Sequence, residues 1–250
     1  MNFINKKNRL NKSGLTLMEI LVALLIAGVI FAALIVILMN AHKGMINAYK
    51  NNVLKNKVSY AMAHIQSNLD TASRIDFGGV SFNTPCDMES TSDTPITKNY
   101  LAGAYNIDKD EGCYPIDINE APKAFFYCLV DEDMGDEVRN LTLYYYEKEL
   151  ASNDPTKYCP IEDINNGFTL ANYPSISNCG DTQMGVTPIK LLDGITNEDT
   201  EEGKPFAISR CQYDRVKVKF KVTSQGTEKS KPISYEATSE FKTGMSAQNL

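Results

Sequence analysis

Residues 15–39 form an apolar run of 25 residues broken by a single charge, the carboxylate of Glu19. At about 1.5 Å per residue a helix of that length reaches about 37 Å, more than the ~30 Å hydrocarbon core of a bilayer. No other run in the chain is comparable, so one membrane-spanning helix near the N-terminus constrains everything that follows. Residues 1–14 carry Lys6, Lys7, Arg9 and Lys12 and no acid. Such a basic leader keeps the N-terminus in the cytoplasm and sends the rest across. A secretory signal would have an apolar region of about 7–15 residues followed by a small-residue cleavage site. This run is longer, and "LMNAHKG" at its end is a poor site of that kind. What remains is an anchor that contains a carboxylate. A charged side chain near a bilayer centre costs roughly 2.5–3.5 kcal/mol on insertion scales, and that cost points to a use for Glu19.

The chain has 250 residues, so about two hundred lie beyond the run, enough for one sizeable domain. Its 31 acidic against 25 basic residues give a net charge of −6, which argues against a nucleic-acid partner. Without the leader the charge falls to about −10, an acidic, soluble exported part. The six cysteines, Cys86, Cys113, Cys128, Cys159, Cys179 and Cys211, all lie in that part. An even count confined to the exported side predicts up to three disulfides in an oxidising compartment. No C-x₂-C pair is present, which weakens the zinc alternative. Six cysteines allow 15 pairings. Cys159–Cys179, which would close one polar loop, is the first choice.

From Asn40 the chain turns polar but keeps a helical period. Met45, Tyr49 and Val53 are four apart. Leu54, Val58, Met62, Ile65, Leu69 and Ala72 then step by 4, 4, 3, 4 and 3, one face of an amphipathic helix. No proline occurs before Pro85, so one helix is expected from Leu15 to about Ser73, with Gly78 and Gly79 as its stop and Gly28 and Gly44 as soft points. There are too few heptads for a free-standing coiled coil.

Beyond Phe77 the pattern becomes strand and loop. "AFFYCLV" (124–130) and "LTLYYYEKEL" (141–150) are strand-like. "DRVKVKFKVT" alternates strictly, with Val216, Val218, Phe220 and Val222 on one side and Arg215, Lys217, Lys219 and Lys221 on the other. "ISYEATSEF" answers it with Ile233, Tyr235, Ala237 and Phe241. Together these predict a terminal hairpin with one buried face. "LLDGI" (191–195) is a further short strand candidate. Long loops are expected over 81–123 and 151–190, and five of the six cysteines fall in or beside them. The only histidines, His42 and His64, sit on the expected helix, and no nucleophile–histidine–acid arrangement, P-loop or metalloprotease motif occurs. An enzyme, and any cofactor, are therefore not expected. "NIDKDEG" places Asn106, Asp108 and Asp110 at alternating positions, a weak calcium candidate. Its Gly112 is one place late for an EF-hand and no distal Glu matches, so a solvated acidic loop is the plainer reading and no metal is expected.

"KSGLTLMEILVAL" resembles the class III signal of type IV pilins and pseudopilins. The resemblance implies that a prepilin peptidase cuts on the cytoplasmic side after Gly14 and methylates the new amine of Leu15. It also implies that Glu19 is the acid that meets the amine of a neighbouring subunit and sets register during assembly. The family usually has Phe where this chain has Leu15. "AMAHIQSNLDTAS", the long helix and the terminal hairpin are similar, more loosely, to the large minor pilins lettered W and the type II secretion pseudopilin lettered J. The implied fold is α+β and pilin-like: a long N-terminal helix, transmembrane in its first half, packed on an antiparallel sheet with disulfide-stapled loops. The implied organisation is a leader at 1–14, a transmembrane or filament-core helix at 15–39, an amphipathic stalk at 40–76 and an exported β-rich domain at 77–250. The implied role is a structural subunit that helps prime or cap a type IV pilus or type II secretion-like filament. The alternative is a pilus-borne adhesin or DNA-uptake binding subunit. Implied partners are other pilin or pseudopilin subunits, the prepilin peptidase, the assembly platform of the inner membrane, and membrane lipid before assembly. The location would be the cytoplasmic (inner) membrane, crossed once, with the C-terminal part exported and later carried into the pilus or pseudopilus.

Overall fold

The computed structural model describes residues 16–76, 96–107, 115–131, 140–149, 178–183, 185–197, 200, 203–208, 215–224 and 232–243. The chain divides into two compact units, Met1–Tyr49 and Lys50–Leu250.

One helix, α1, runs unbroken over Leu17–Thr71. A glycine inside a helix costs roughly 1 kcal/mol against alanine, and neither Gly28 nor Gly44 interrupts it. In the first unit the large apolar side chains are exposed all round, among them Leu24, Phe31 and Leu38. The helix is long and apolar enough there to cross a membrane. In the second unit Leu54, Val58, Ala61, Met62, Ile65 and Leu69 are buried, the face that the sequence spacing predicts. Met45 and Tyr49 share that spacing but are 73% and 70% exposed, so burial begins only at about Leu54.

The helix stops earlier than Gly78 and Gly79, which lie outside the described residues. Tertiary pairing ends it. Ser73 donates its amide to the Ala104 carbonyl at 2.9 Å. The Ser73 hydroxyl also donates to that carbonyl at 3.2 Å and accepts the Ile107 amide at 3.0 Å. These bonds turn the chain into β1 (Arg74–Asp76), so the last residues of the expected 40–76 helical stretch are strand.

The other strands are β2 (Ile96–Lys98), β3 (Tyr100–Tyr105), β4 (Lys123–Asp131), β5 (Leu141–Glu149), β6 (Ile189–Ile195), β7 (Phe206–Ile208), β8 (Arg215–Thr223) and β9 (Ser234–Lys242). They form one antiparallel sheet in the order β1-β3-β4-β5-β6-β8-β7-β2, with β9 on β8. β2 and β3 correct the expectation of a long loop over 81–123. β3 reads Y-L-A-G-A-Y, and its alanines and glycine are poor strand formers. It is nevertheless held between β1 and β4 in continuous register, with Ala102 opposite Phe126 and Ala104 opposite Ala124. Small residues suit it because both sheet faces are covered there: Leu101 belongs to the cluster that includes the helix, Ala102 and Ala104 to a second cluster on the far face.

The expected hairpin is present. All nine residues of β8 pair with β9, from Arg215 opposite Lys242 to Thr223 opposite Ser234. Val216, Val218, Phe220 and Val222 are fully buried against the α1 face. The other edge of β8 is shared, with β7 along Val216–Val218 and β6 only at Val222. Buried Asn197 fills the break between them. Its Nδ2 donates to the carbonyls of Lys219 at 3.0 Å and Gly203 at 2.8 Å, and its Oδ1 accepts the Lys221 amide at 2.8 Å. A side-chain amide thus replaces a missing stretch of strand. Asn197→Ala leaves two ladder groups of β8 unpaired, and a loss of about 2–4 kcal/mol is expected. Urea unfolding should show it as a lower midpoint at unchanged slope.

β6 bends at Gly194, whose φ is +74. A Cβ there would lie 3.0 Å from the Thr223 carbonyl oxygen, so the position demands glycine. The preceding Asp193 accepts from Lys57 of α1 at 2.7 Å, and that bond holds its carboxyl below the usual range against the opposing effect of partial burial. Both side chains are about half exposed, so the pair positions the helix more than it stabilises it.

Candidate functional site

The first described turn of α1 is a capping box. Thr16 precedes the helix, and its amide donates to Glu19 Oε2 at 2.9 Å. Its hydroxyl donates to the same oxygen at 3.1 Å and accepts the Glu19 amide at 3.3 Å. T-x-x-E is the pattern in which two orphan amides at a helix start are satisfied reciprocally. The Glu19 carboxylate therefore has a place within its own chain, at the positive end of the helix dipole. In the sequence the signal for this cap is the spacing of Thr16 and Glu19. Gly14 and Leu15, the expected cleavage and methylation positions, lie outside the described residues.

The second constellation lies where α1 meets the sheet. The Tyr127 hydroxyl of β4 sits 2.8 Å from His64 Nδ1 and accepts from Asn68 Nδ2 at 2.6 Å. Burial pushes the Tyr127 hydroxyl far above its usual range, so it stays protonated, and it donates to the His64 backbone carbonyl at 3.3 Å. The Tyr145 ring packs edge-on against the imidazole at 4.5 Å, and its hydroxyl donates to Glu147 at 2.5 Å. Burial lowers the pKa of His64, and the charge of Glu147 opposes that in part.

A histidine held neutral in the fold and free to protonate at its ordinary 6.5 when unfolded makes no difference above that pH. Below it the unfolded chain binds the proton more readily, and stability falls until the folded-state value is passed. Between pH 7.5 and 5.5 the unfolding temperature of the wild type should therefore drop more than that of His64→Gln. Parallel pH profiles would show that His64 is not the group responsible. The arrangement is a polar pin in an apolar seam.

Among the described residues one disulfide is present. Cys128 of β4 is bonded to Cys179 with a Cα–Cα distance of 6.2 Å. This corrects the Cys159–Cys179 choice: the partner of Cys179 is a strand residue on the far face of the sheet, not the other end of a polar loop. Cys86, Cys113, Cys159 and Cys211 lie outside the described residues. So do Asp108 and Asp110. Asn106, the remaining member of the calcium candidate, has φ 56, and both ends of its amide are engaged. Its Nδ2 donates to the carbonyls of Asp117 and Glu120, each at 2.8 Å, and its Oδ1 accepts the Asp117 amide at 2.6 Å. Asn106 fastens the 115–120 turn. Among the described residues no group of three or more His, Cys, Asp or Glu is placed to hold a metal ion.

A long N-terminal helix, exposed and apolar in its first half and packed by its second half on an antiparallel sheet with a disulfide, is a pilin-like α+β architecture. No known protein family, curated protein or solved structure matches this chain.

Proposed function

We propose that the chain is a structural subunit, a minor pilin or pseudopilin, that takes part in priming or capping a type IV pilus or a type II secretion-like filament. The observation that carries this reading is the single uninterrupted α1. It begins at the Thr16–Glu19 box, continues as an exposed apolar segment, and from Leu54 onward becomes one wall of a sheet-packed core. In this reading a prepilin peptidase removes residues 1–14 and methylates Leu15. Residues 15–39 first cross the inner membrane and then enter the filament core, while the part beyond is exported. The subunit has no enzymatic role and no cofactor. Its partners are other subunits and the assembly platform.

The test is cleavage. Co-expression with a prepilin peptidase should shorten the protein by the mass of residues 1–14, and Gly14→Glu should stay full length. Wild type that stays unprocessed beside a control pilin that is cut would overturn the reading.

A further inference from the structure

Charge is segregated along the chain beyond the stalk. Residues 71–214 hold 26 Asp and Glu against 10 Lys and Arg, whereas residues 215–250 hold 3 against 7. The fold collects the second set on one surface. Val216, Val218, Phe220 and Val222 of β8 point at α1, so Arg215, Lys217, Lys219 and Lys221 lie on the opposite face of the sheet. Lys242 of β9 joins them, directly opposite Arg215. Like charges in that position are unfavourable. Two acids of β9 answer the five cations: Glu240 bonds Arg215 at 3.1 Å and Glu236 bonds Lys219 at 3.3 Å. Among the described residues Lys217, Lys221 and Lys242 have no ion pair. The face therefore keeps a surplus of positive charge on an acidic protein.

A complementary feature lies elsewhere on the same sheet. Asn106 fastens the 115–120 turn through three hydrogen bonds. That fixed turn displays Asp117 and Glu120 to solvent with no cation bonded to either among the described residues. Between them stands Ile118, 89% exposed, beside the half-exposed Ile116. The turn leads into β4, which is three places from β8 in the sheet order. At the usual strand spacing that is about 14 Å, beyond ion-pair reach, so the turn and the cationic face of one copy do not meet.

We infer that the cationic β8–β9 face binds the 115–120 turn of a second copy of this chain. Asp117 and Glu120 supply the charges that Lys217, Lys221 and Lys242 lack, and Ile118 lies along the aliphatic stems of the lysines. The two surfaces differ, so the contact is heterologous: every copy offers one face and one turn, and the contact can pass from copy to copy without closing on itself. It concerns the sheet, and it stands or falls separately from the processing of the leader.

The test uses the full chain in mild detergent, as an equal mixture of isotope-labelled and unlabelled protein. A carbodiimide joins lysine amines to carboxylates that are already in contact, and mass spectrometry identifies the joined peptides. Mixed-isotope links should run from Lys217, Lys221 or Lys242 to Asp117 or Glu120. They should fall several-fold between about 50 mM and about 500 mM salt as screening shortens. Lys217→Glu/Lys221→Glu should lose most of them, and so should Glu120→Lys. Combining the three substitutions should restore mixed links, now between position 120 and positions 217 or 221, a recovery that a damaged fold would not give. Links confined to single-isotope pairs, mixed links from these lysines to other acidic segments, or no recovery in the combined variant would each overturn the inference. Failure of leader cleavage in the peptidase assay would leave these outcomes unchanged.

Discussion

Glu19→Gln is expected to leave α1 capped and the subunit abundant, yet to exclude it from filaments. Glutamine can replace glutamate in a capping box, so the bonds of Thr16 to position 19 survive the change. The substitution also removes a charge whose insertion costs roughly 2.5–3.5 kcal/mol, so accumulation in the membrane should not suffer. In the proposed filament the carboxylate has a second task, pairing with the cleaved amine of a neighbour in an apolar core. Removing one partner of a buried ion pair costs about 3–5 kcal/mol, a factor of roughly 10²–10⁴ in incorporation. Glu19→Ala should show the same exclusion and also lose the reciprocal cap. Sheared filaments from cells carrying each variant, probed for the subunit, distinguish the two roles. Exclusion of both variants supports the charge pair. Normal incorporation of Gln with loss of Ala would assign Glu19 to capping alone. Normal incorporation of both would require the pairing argument to be dropped.

The readable parts of this fold were those with strict period and strong side-chain contrast. Leu54, Val58, Met62, Ile65 and Leu69 mark a helix face because each also points into the core, and the Val–Lys alternation of β8 marks a strand buried on one face. The pairing of β8 with β9 followed from matching apolar sets. β3 was not readable, because a strand covered on both faces and flanked by large aromatics needs alanine and glycine, which carry no strand signal of their own. The end of α1 falls at Thr71, close to the expected Ser73, but what stops it there is not legible locally. Ser73 is ordinary in sequence, and what stops the helix is the carbonyl of a residue 31 positions away. Asn197 looks like a loop residue and is a ladder substitute. At the candidate site Glu19 stood out by its cost, while Thr16 needed only the capping rule. The cysteine pairing depends on which strand faces which loop, information that no local spacing contains.

That pairing supports the second large prediction. Cys128 and Cys179 are both buried, and the bond fixes the 178–183 turn onto the face of the sheet opposite α1. Tyr146 of β5 reinforces it: its hydroxyl donates to the Asp181 carbonyl at 2.9 Å and accepts the Gly180 amide at 2.8 Å. Gly180 takes φ +96 where an added Cβ would meet the Tyr144 ring at 3.3 Å, so the turn lies close on the strand. The bridged cysteines are 51 residues apart. Closing a loop of that length in the unfolded chain accounts for about 4 kcal/mol in the chain-entropy treatment. For a chain of this size that corresponds to a fall of roughly 8–16 °C in unfolding temperature. The Cys128→Ala/Cys179→Ala pair should show it without introducing a new buried polar group. Tyr146→Phe, which removes only the two hydrogen bonds, should cost about 1–2 kcal/mol. If the double variant melted within ~2 °C of wild type in detergent, the turn would have to be held by its packing and by Tyr146, and the covalent tie would be redundant in the folded protein. If it melted far lower while Tyr146→Phe changed little, the far face of the sheet would depend on the disulfide to keep its cover, as the buried Ala102, Ala104 and Phe126 beneath it require.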